Sequence, residues 1–265
     1  MAEQAPRRHG HDHHHGRGPI GRGGTPHGRK AAADEVVFQR TAKAAAQPGL
    51  DVDQIVRAAI AVADAEGLQA VTMRRVAREL GRSAVMSLYR HVLNRDDVVE
   101  LMIDEIIGET LTGLGPAESM RAMLRDEAIG RRQVLLRHPW AVEASAGRAA
   151  LGPNSLAYIE RMLDTVETLG VEKNLAQRMV NAVDAYTTGV VSYEVARARF
   201  FEHSGTAPEE MLATVGPYMR EAVETGKYPA LERFMSDHEH PSADESFEFG
   251  LDRLLDGFDA YLAEE

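Results

Sequence analysis

The stretch "TMRRVARELGRSAVMSLYRHV", Thr72 to Val92, decides the fold of the N-terminal part of this chain. Val76 and Leu80 lie on one helical face before Gly81, so the pattern predicts a short helix that ends at this glycine. A turn follows, and a second short helix is predicted over residues 85–91. Two short helices joined by a glycine-bearing turn are typical of the helix-turn-helix motif.

Positive charge is concentrated in this motif, although the chain as a whole is acidic. The formal net charge is -11, whereas residues 72–95 carry six arginines and one acidic residue, Glu79. A basic patch on a small helical module is the electrostatic footprint of contact with nucleic-acid phosphates. We expect arginines at the helix starts, together with Tyr89 and His91, to contact the DNA backbone, and residues 85–87 with Arg90 to face base edges. The predicted DNA-binding residues are Thr72, Arg74, Arg75, Val85, Met86, Ser87, Tyr89, Arg90, His91 and Arg95.

The composition excludes several classes of protein. The 265 residues are 44% hydrophobic, which is enough for a sizeable core, and they include no cysteine, which excludes disulfides and thiolate metal sites. No apolar run approaches the ~18 residues of a membrane span, and the polar N-terminus is not a secretory signal, so we predict a cytoplasmic protein without a membrane partner. No nucleophile–base constellation, P-loop or dinucleotide motif is present, so we predict neither an enzyme nor a bound cofactor or metal.

Three regions follow one another along the chain. Residues 1–50 are rich in His, Arg and Gly and are predicted to be a disordered arm, in which the histidines at 9–15 form a solvated run rather than a metal site and Ala31–Gln47 could form a short helix ended by Pro48-Gly49. Residues 51–95 form the helix-turn-helix domain, and residues 96–265 form a larger helical bundle. Asp51, Asn94 and Asn154 are predicted to cap helices at their N-termini. No strand-like alternation occurs, so the predicted fold class is all-α.

Longer motifs resemble the TetR family of bacterial regulators. The relevant stretches in the N-terminal region are "VTMRRVARELG", "MSLYRHV" and "NRDDVVELM", and "IVRAAIAVADAEGL" looks like the family's first helix. Further on, "LLRHPWAVE", "LGPNSLAYIERML" and "FEFGLDRLLDGFDAYL" resemble the C-terminal domain of the branch that includes the tetracycline repressors. The resemblance therefore covers the chain from about residue 50 onward.

The chain departs from the family pattern in the turn of the motif. Six residues, "RSAVMS", separate Leu80-Gly81 from Leu88-Tyr89, which is one more than the family's usual spacing. Alignment backward from Tyr89 makes residues 81–84 a longer turn and residues 85–87 the base-reading positions. If the extra residue lies within the second helix instead, the contacts rotate by about 100° around the helix.

The resemblance implies that a small-molecule effector enters the C-terminal bundle and shifts the family's fourth helix, here Arg95 to about residue 110. This shift changes the separation of two reading heads, which must be about 34–36 Å to fit DNA. The tetracycline branch holds drug and metal through His and Asn, but the corresponding positions here are Leu111, Glu127 and Ser145, which argues against tetracycline. The predicted pocket residues, chosen by type and location, are Trp140, Tyr158, Met162, Asn181, Asp184, Tyr186, Thr187 and Tyr193.

A homodimer is expected because a single helix-turn-helix makes few contacts and works as one half of a symmetric pair on a pseudo-palindromic operator in double-stranded DNA. The final helix has a broad apolar face for this interface, namely Phe247, Leu251, Leu254, Leu255, Phe258 and Leu262. We therefore predict a sequence-specific transcriptional regulator that acts as a ligand-released repressor. The alternative hypothesis is a dimeric helical ligand-binding or scaffold module whose reading head is disabled by the extra turn residue.

Overall fold

A computed structural model describes residues 36–44, 51–81, 85–145, 151–237 and 241–264 of the chain. All regular structure in these ranges is helical, as the all-α prediction requires. The α-helices are α1 (Val37–Ala44), α2 (Val52–Glu66), α3 (Met73–Glu79), α4 (Arg95–Thr112), α5 (Met120–Arg137), α6 (Trp140–Ser145), α7 (Pro153–Leu169), α8 (Lys173–Ser204), α9 (Pro208–Glu224), α10 (Pro229–Asp237) and α11 (Ala243–Glu264). Two 3₁₀ segments, Leu68–Ala70 and Val85–Arg90, join the helices of the N-terminal module. In the part of the chain covered by these ranges, no helix combines the length and apolarity needed to cross a bilayer.

Local capping explains where the helices of the N-terminal module begin. Asp51 and Gln54 form a capping box at the start of α2, and the side chain of Asn94 accepts a hydrogen bond from Asp97 N at the start of α4. Gly67 ends α2 with a φ of 84°, a backbone conformation that favours glycine. Asn154, which we expected to cap α7, instead lies inside its first turn, because the helix begins at Pro153 after Gly152.

A docked helix lies within the predicted arm. The short helix predicted within Ala31–Gln47 is present as α1 over Val37–Ala44, and it packs against α4. Val37 is almost fully buried, and Arg40 Nη2 lies 2.6 Å from Asp97 Oδ2 at the start of α4. Val37 and Thr41 are spaced one helical turn apart, which gives this short helix a buried side. The His-rich run at residues 9–15 lies outside the described residues.

Two hydrophobic cores organise the described residues. The first combines α1 to α4 with the C-terminal end of α5, with α6 and with Val191 and Val195 of α8. The second combines the N-terminal half of α5 with α7, α11 and the first half of α8. The first core thus contains side chains from both sides of the boundary predicted at residue 95. Movements of the bundle at α5, α6 and α8 therefore act directly on the packing of the N-terminal module.

Candidate nucleic-acid interface and effector cleft

The segment Val85–Arg90, which we call the reading segment, is a 3₁₀ helix rather than the predicted α-helix over residues 85–91. His91 N and Val92 N both donate to Leu88 O, at 2.8 and 3.0 Å, and this ends the segment. Leu88 and Val92 are both buried in the first core. With about three residues per turn, a 3₁₀ helix keeps Val85 and Leu88 on the same inward side. The residues that decide the register of the turn, 82–84, lie outside the described residues.

The outward side of the reading segment is formed by Met86, Tyr89 and Arg90. The exposed fractions of Met86 and Tyr89 are 73% and 43%, and Arg90 is also exposed. Ser87 was predicted to face base edges, but it is only 9% exposed. The prediction for Ser87 is therefore corrected. Val85 is half-buried and packs against the first core.

Two of the predicted phosphate-binding arginines are engaged within the protein. Arg75 forms ion pairs with Glu66 at 2.6 Å and with Glu79 at 2.8 Å. The hydrogen bond that Arg75 donates to Glu66 lowers the pKa of that carboxyl, and the hydrogen bonds that it donates to Glu66 and Glu79 raise the pKa of Arg75. Arg95 donates to Val71 O and Leu68 O, both at 2.8 Å. These two guanidinium groups position α3 and the start of α4, and their contact with phosphates stays a prediction.

On α3, the side chains of Arg74 and Arg78 remain exposed. Arg78 was not among the predicted contact residues, although its position on the exposed face of α3 follows from helical periodicity. Thr72 caps α3, since its Oγ1 accepts a hydrogen bond from Arg75 N at 3.1 Å. His91 is half-buried, and within the described residues its enclosed Nδ1 has no hydrogen-bond partner.

Helix α7 is attached to α4 at its N-terminus. The N-cap residue of α7 is Gly152, which has no side chain to satisfy the free backbone N–H groups. Asp104 of α4 supplies this function: it accepts hydrogen bonds from Asn154 N at 3.1 Å, from Ser155 N at 2.9 Å and from Ser155 Oγ at 2.7 Å. A carboxylate at this position also interacts favourably with the helix dipole.

A second attachment joins α7 to the loop after α4. Arg161 Nη1 donates to Leu114 O at 2.9 Å, and Nη2 donates to Gly115 O. Between the two attachments, Gly108 of α4 lies so close to α7 that a Cβ there would meet Asn154 Cγ at 2.9 Å. Helices α4 and α7 are therefore held together along their shared length.

A cleft opens between α5 and α7, beside the loop after α4. It is lined by Leu114, Gly115, Ala117, Met123, Asp126, Glu127, Tyr158, Arg161, Met162 and Thr165. The phenol of Tyr158 donates a hydrogen bond to Glu127 Oε1 across the cleft. Burial raises the pKa of the Glu127 carboxyl and also raises the pKa of the Tyr158 phenol. The free space admits about one water molecule, so a larger ligand must move α7 away from α5.

Polar groups of α8 adjoin Glu127. Arg131 Nε of α5 lies 2.7 Å from Asp184 Oδ1, and both groups act electrostatically on the Glu127 carboxyl. Thr187 is fully buried, and within the described residues its Oγ1 has no hydrogen-bond partner. On α8, Thr187 lies between Val183 of the second core and Val191 of the first.

The predicted pocket residues are only partly brought together. Tyr158 and Met162 line the cleft, and Asp184 lies close enough to influence Glu127. Four other predicted residues lie outside this cleft. Trp140 is in the first core with its Nε1 2.7 Å from Asp64 Oδ1, and it lines a separate cavity beside α8. Tyr193 is 69% exposed and lines another cavity, between α8 and the start of α11. Asn181 is exposed and accepts from Gln177, and Tyr186 donates to Phe247 O at 2.8 Å. The ligand contacts of these four residues stay predictions. Glu127, Arg131 and Arg161 were not among the predicted pocket residues, although Glu127 corresponds to a drug-holding position of the tetracycline branch.

The predicted dimer residues of α11 divide into two sets. Phe247, Leu251 and Leu255 are buried in the second core of the same chain, so their prediction as interface residues is corrected. Leu254, Phe258 and Leu262 are half-buried. Leu254 and Phe258 line a surface groove between α8 and α11, together with Leu175, Arg178, Met179, Arg253, Gly257 and Tyr261.

A second apolar surface lies on α9 and α10, which expose most of their residues. The exposed apolar side chains on and between these helices are Leu212, Val215, Tyr218, Tyr228, Phe234 and Met235. An apolar surface of this kind typically marks a site of association with another protein surface.

Comparisons with known proteins agree with this architecture. Residues 112–262 match the family described as "Tetracyclin repressor-like, C-terminal domain". The chain is 32% identical over 222 residues to the HTH-type transcriptional repressor DrrR1 of Streptomyces coeruleorubidus, which covers 82% of this chain and 80% of that protein. Among solved structures, apo ActR from Streptomyces coelicolor has a TM-score of 0.65 at 27% identity, covering 83% of this chain and 99% of that one. ActR in complex with actinorhodin has a TM-score of 0.64 at 27% identity, covering 80% and 98%.

Proposed function

Because the chain belongs to the TetR family of transcriptional regulators, we propose that it acts as a homodimeric repressor that a small organic effector releases from its operator. The relatives support repression, since the match to DrrR1 extends over most of both chains. The described structure supports the proposal through a reading surface, an effector cleft and a helix that joins them.

The reading surface consists of the exposed side of the reading segment together with α3. Met86 and Arg90 are placed to reach base edges, where an apolar side chain can contact a thymine methyl and a guanidinium can bond guanine. Arg74 and Arg78 are placed to contact phosphates, as is the hydroxyl of Tyr89. Arg75 and Arg95 hold the module in shape through their contacts within the protein.

The observation that carries the proposal is the attachment of α7 to α4. Helix α7 supplies Tyr158 and Met162 to the cleft, and Asp104 and Arg161 bind it to α4 and the loop that follows. A ligand larger than a water molecule must displace α7 from α5, and α4 then moves with α7. The N-terminal half of α4 belongs to the first core beneath the reading segment, so its displacement reorients the reading head.

We propose an organic molecule of moderate size as the effector, because the structurally similar ActR holds actinorhodin. The open cleft would have a volume of about 300–1,000 Å³, which is the range of small-molecule sites. The tetracycline repressors among the relatives are less similar to this chain, at 24–27% identity, than DrrR1 is.

The proposed dimer uses the groove between α8 and α11. Its apolar residues Leu254, Phe258 and Leu262 stay half-buried in a single chain and gain burial when a second copy covers them. The exposed apolar side chains of α9 and α10 extend this surface. A two-fold arrangement of this kind gives two reading heads for the two halves of a pseudo-palindromic site.

The first test is selection of binding sites from random duplex DNA with the purified protein, followed by affinity measurements against salt. The expected result is a pseudo-palindromic consensus whose affinity falls steeply as salt rises, because several phosphate contacts release counterions. Weak binding without a consensus would instead support the alternative, a dimeric ligand-binding or scaffold module with a disabled reading head.

A further inference from the structure

We propose that the effector is a lipophilic cation, an amine on an apolar body, whose ammonium group pairs with the carboxylate of Glu127. This inference rests on the proposed function and names the chemical class of molecule that the cleft recognises. It depends on three observations: Glu127 is buried, the arginines near it bind other groups, and the walls around it are apolar.

Glu127 is a buried carboxyl group without an ion-pair partner. It is 6% exposed, and within the described residues no Lys, Arg or His atom lies within ion-pair distance of it. Arg131 acts on it electrostatically, but its hydrogen-bond partner in the cleft is the neutral phenol of Tyr158. A buried carboxyl is costly in its ionised form, and the effect of burial outweighs that of Arg131, so the pKa of Glu127 is raised.

The two nearest arginines are both engaged elsewhere. Arg131 pairs with Asp184 at 2.7 Å, and Arg161 donates to the carbonyl oxygens of Leu114 and Gly115. Neither guanidinium contacts Glu127. A cationic ligand would supply the missing charge, whereas an anionic ligand would meet Glu127 and the nearby Asp126 with the same sign of charge.

The rest of the cleft suits the apolar part of such a ligand. Leu114, Ala117, Met123 and Met162 form its walls. Methionine side chains adapt to ligands of different shape, which suits a cleft that must open to admit one. A few polar groups within apolar walls are typical of small-molecule sites.

Binding of an ammonium group has a consequence that binding of a neutral molecule lacks. In the empty cleft, burial raises the pKa of Glu127 and so shifts the carboxyl toward its protonated form. An ammonium ligand binds to the carboxylate, so the protonated fraction of Glu127 loses its proton to solvent when the ligand enters. A neutral ligand with a carbonyl group would accept a hydrogen bond from the protonated carboxyl, and no proton would be released.

The test uses a matched pair of probes, 2-naphthylmethylamine and 2-naphthylmethanol. They share the same apolar body, but the first carries an ammonium group where the second carries a hydroxyl. Isothermal titration calorimetry at pH values below the raised pKa, in two buffers of different ionisation enthalpy, measures affinity and proton release together. We expect the amine to bind at least about tenfold more tightly than the alcohol and to release up to one proton. We expect Glu127→Gln to bind both probes with similar affinity and without proton release.

The matched control is Glu160→Gln, the same change at an exposed position of α7. It should keep the preference for the amine and the proton release, and the melting temperatures of both variants report whether they fold. Tighter binding of the alcohol, no binding of the amine at millimolar concentration, or an unchanged preference in Glu127→Gln would each overturn the proposal. Operator binding measured in parallel separates the two ideas. A protein that binds a palindromic operator but rejects the amine retains the proposed function and loses only this inference.

Discussion

The Nδ1 atom of His138 lies 2.8 Å from Oδ1 of Asp64, which joins the corner between α5 and α6 to the helix α2 of the N-terminal module. The same Asp64 oxygen accepts a hydrogen bond from Trp140 Nε1 at 2.7 Å. On its other side, His138 Nε2 lies 3.3 Å from Glu109 of α4. Both ring nitrogens of this buried imidazole therefore lie beside carboxylate oxygens. The cluster links α2, α4 and the bundle at one point.

Replacement of His138 tests this link. His138→Leu removes both hydrogen bonds and leaves Asp64 and Glu109 without their shared partner, so we expect a loss of about 1–3 kcal/mol in the free energy of unfolding. Urea denaturation measures the change. The control is His203→Leu at the exposed end of α8, which should change stability by less than about 0.5 kcal/mol. Equal effects of the two substitutions would show that the His138 cluster contributes nothing beyond a surface histidine.

The exposed guanidinium of the reading segment gives a prediction about DNA. Arg90→Ala should weaken binding to the selected operator by about tenfold or more and reduce the discrimination between operator and unrelated DNA. Fluorescence anisotropy measures both quantities. Lys227→Ala removes one positive charge from the turn between α9 and α10 and should leave specific binding unchanged within about twofold. If Arg90→Ala makes affinity depend less steeply on salt and leaves the discrimination between operator and unrelated DNA unchanged, Arg90 contacts a phosphate instead of a base.

Close packing at Gly152 predicts a large effect of a single methyl group. A Cβ at this position would meet Asp104 Cγ at 2.3 Å and a ring carbon of Phe38 at 2.4 Å. Gly152→Ala must therefore push α1 or α4 away from α7, and we expect a destabilisation of about 1–3 kcal/mol. Gly113→Ala is the control, because a Cβ there meets nothing within 4 Å and the φ of -88° suits alanine. Thermal unfolding that does not distinguish these variants would contradict the close approach of α1 and α4 to α7.

The attachment of α7 to α4 can be measured as a coupling energy. Asp104→Ala and Ser155→Ala each remove one side of the contact between the Asp104 carboxylate and the Ser155 hydroxyl at 2.7 Å. A double-mutant cycle should give a coupling of about 0.5–3 kcal/mol, as for other buried hydrogen-bonded neighbours. An additive result would mean that this contact does not hold the two helices together.

The Glu127 carboxyl predicts a dependence of stability on pH. The ordinary pKa of a Glu carboxyl is 4.5, and the pKa of Glu127 in the folded chain is higher. Above pH 4.5 the carboxyl therefore holds its proton more strongly in the folded chain than in the unfolded chain. The group's contribution to stability is therefore fully present below that value and is lost as pH rises through the folded pKa. Glu127→Gln lacks this titration, so its melting temperature relative to wild type should increase from about pH 5 to about pH 8. A difference that stays constant over this range would exclude a raised pKa at Glu127.

Much of the N-terminal module was accessible from local patterns. Asp51 and Asn94 cap their helices as expected, because capping depends on residues within one turn of each other. The all-α class follows from helical periodicity along the chain, and the motifs around Thr72–Val92 identified the family. The helix α1 falls within the short helix predicted over Ala31–Gln47, whereas its packing against α4 could not be inferred from local pattern.

Which partner each side chain meets depended on the tertiary structure. The sequence by itself determined that residues 72–95 are basic, that the last helix has a broad apolar face and that the bundle is helical, since these properties belong to neighbouring residues. Only the packing of helices distant in the chain decided that Arg95 binds the backbone oxygens of Leu68 and Val71, that Phe247 fills the core of its own chain, and that Glu127 lies buried beside Tyr158. The charge and hydrophobicity of a residue are known from its identity alone, whereas a contact depends on the positions of two residues in the folded chain.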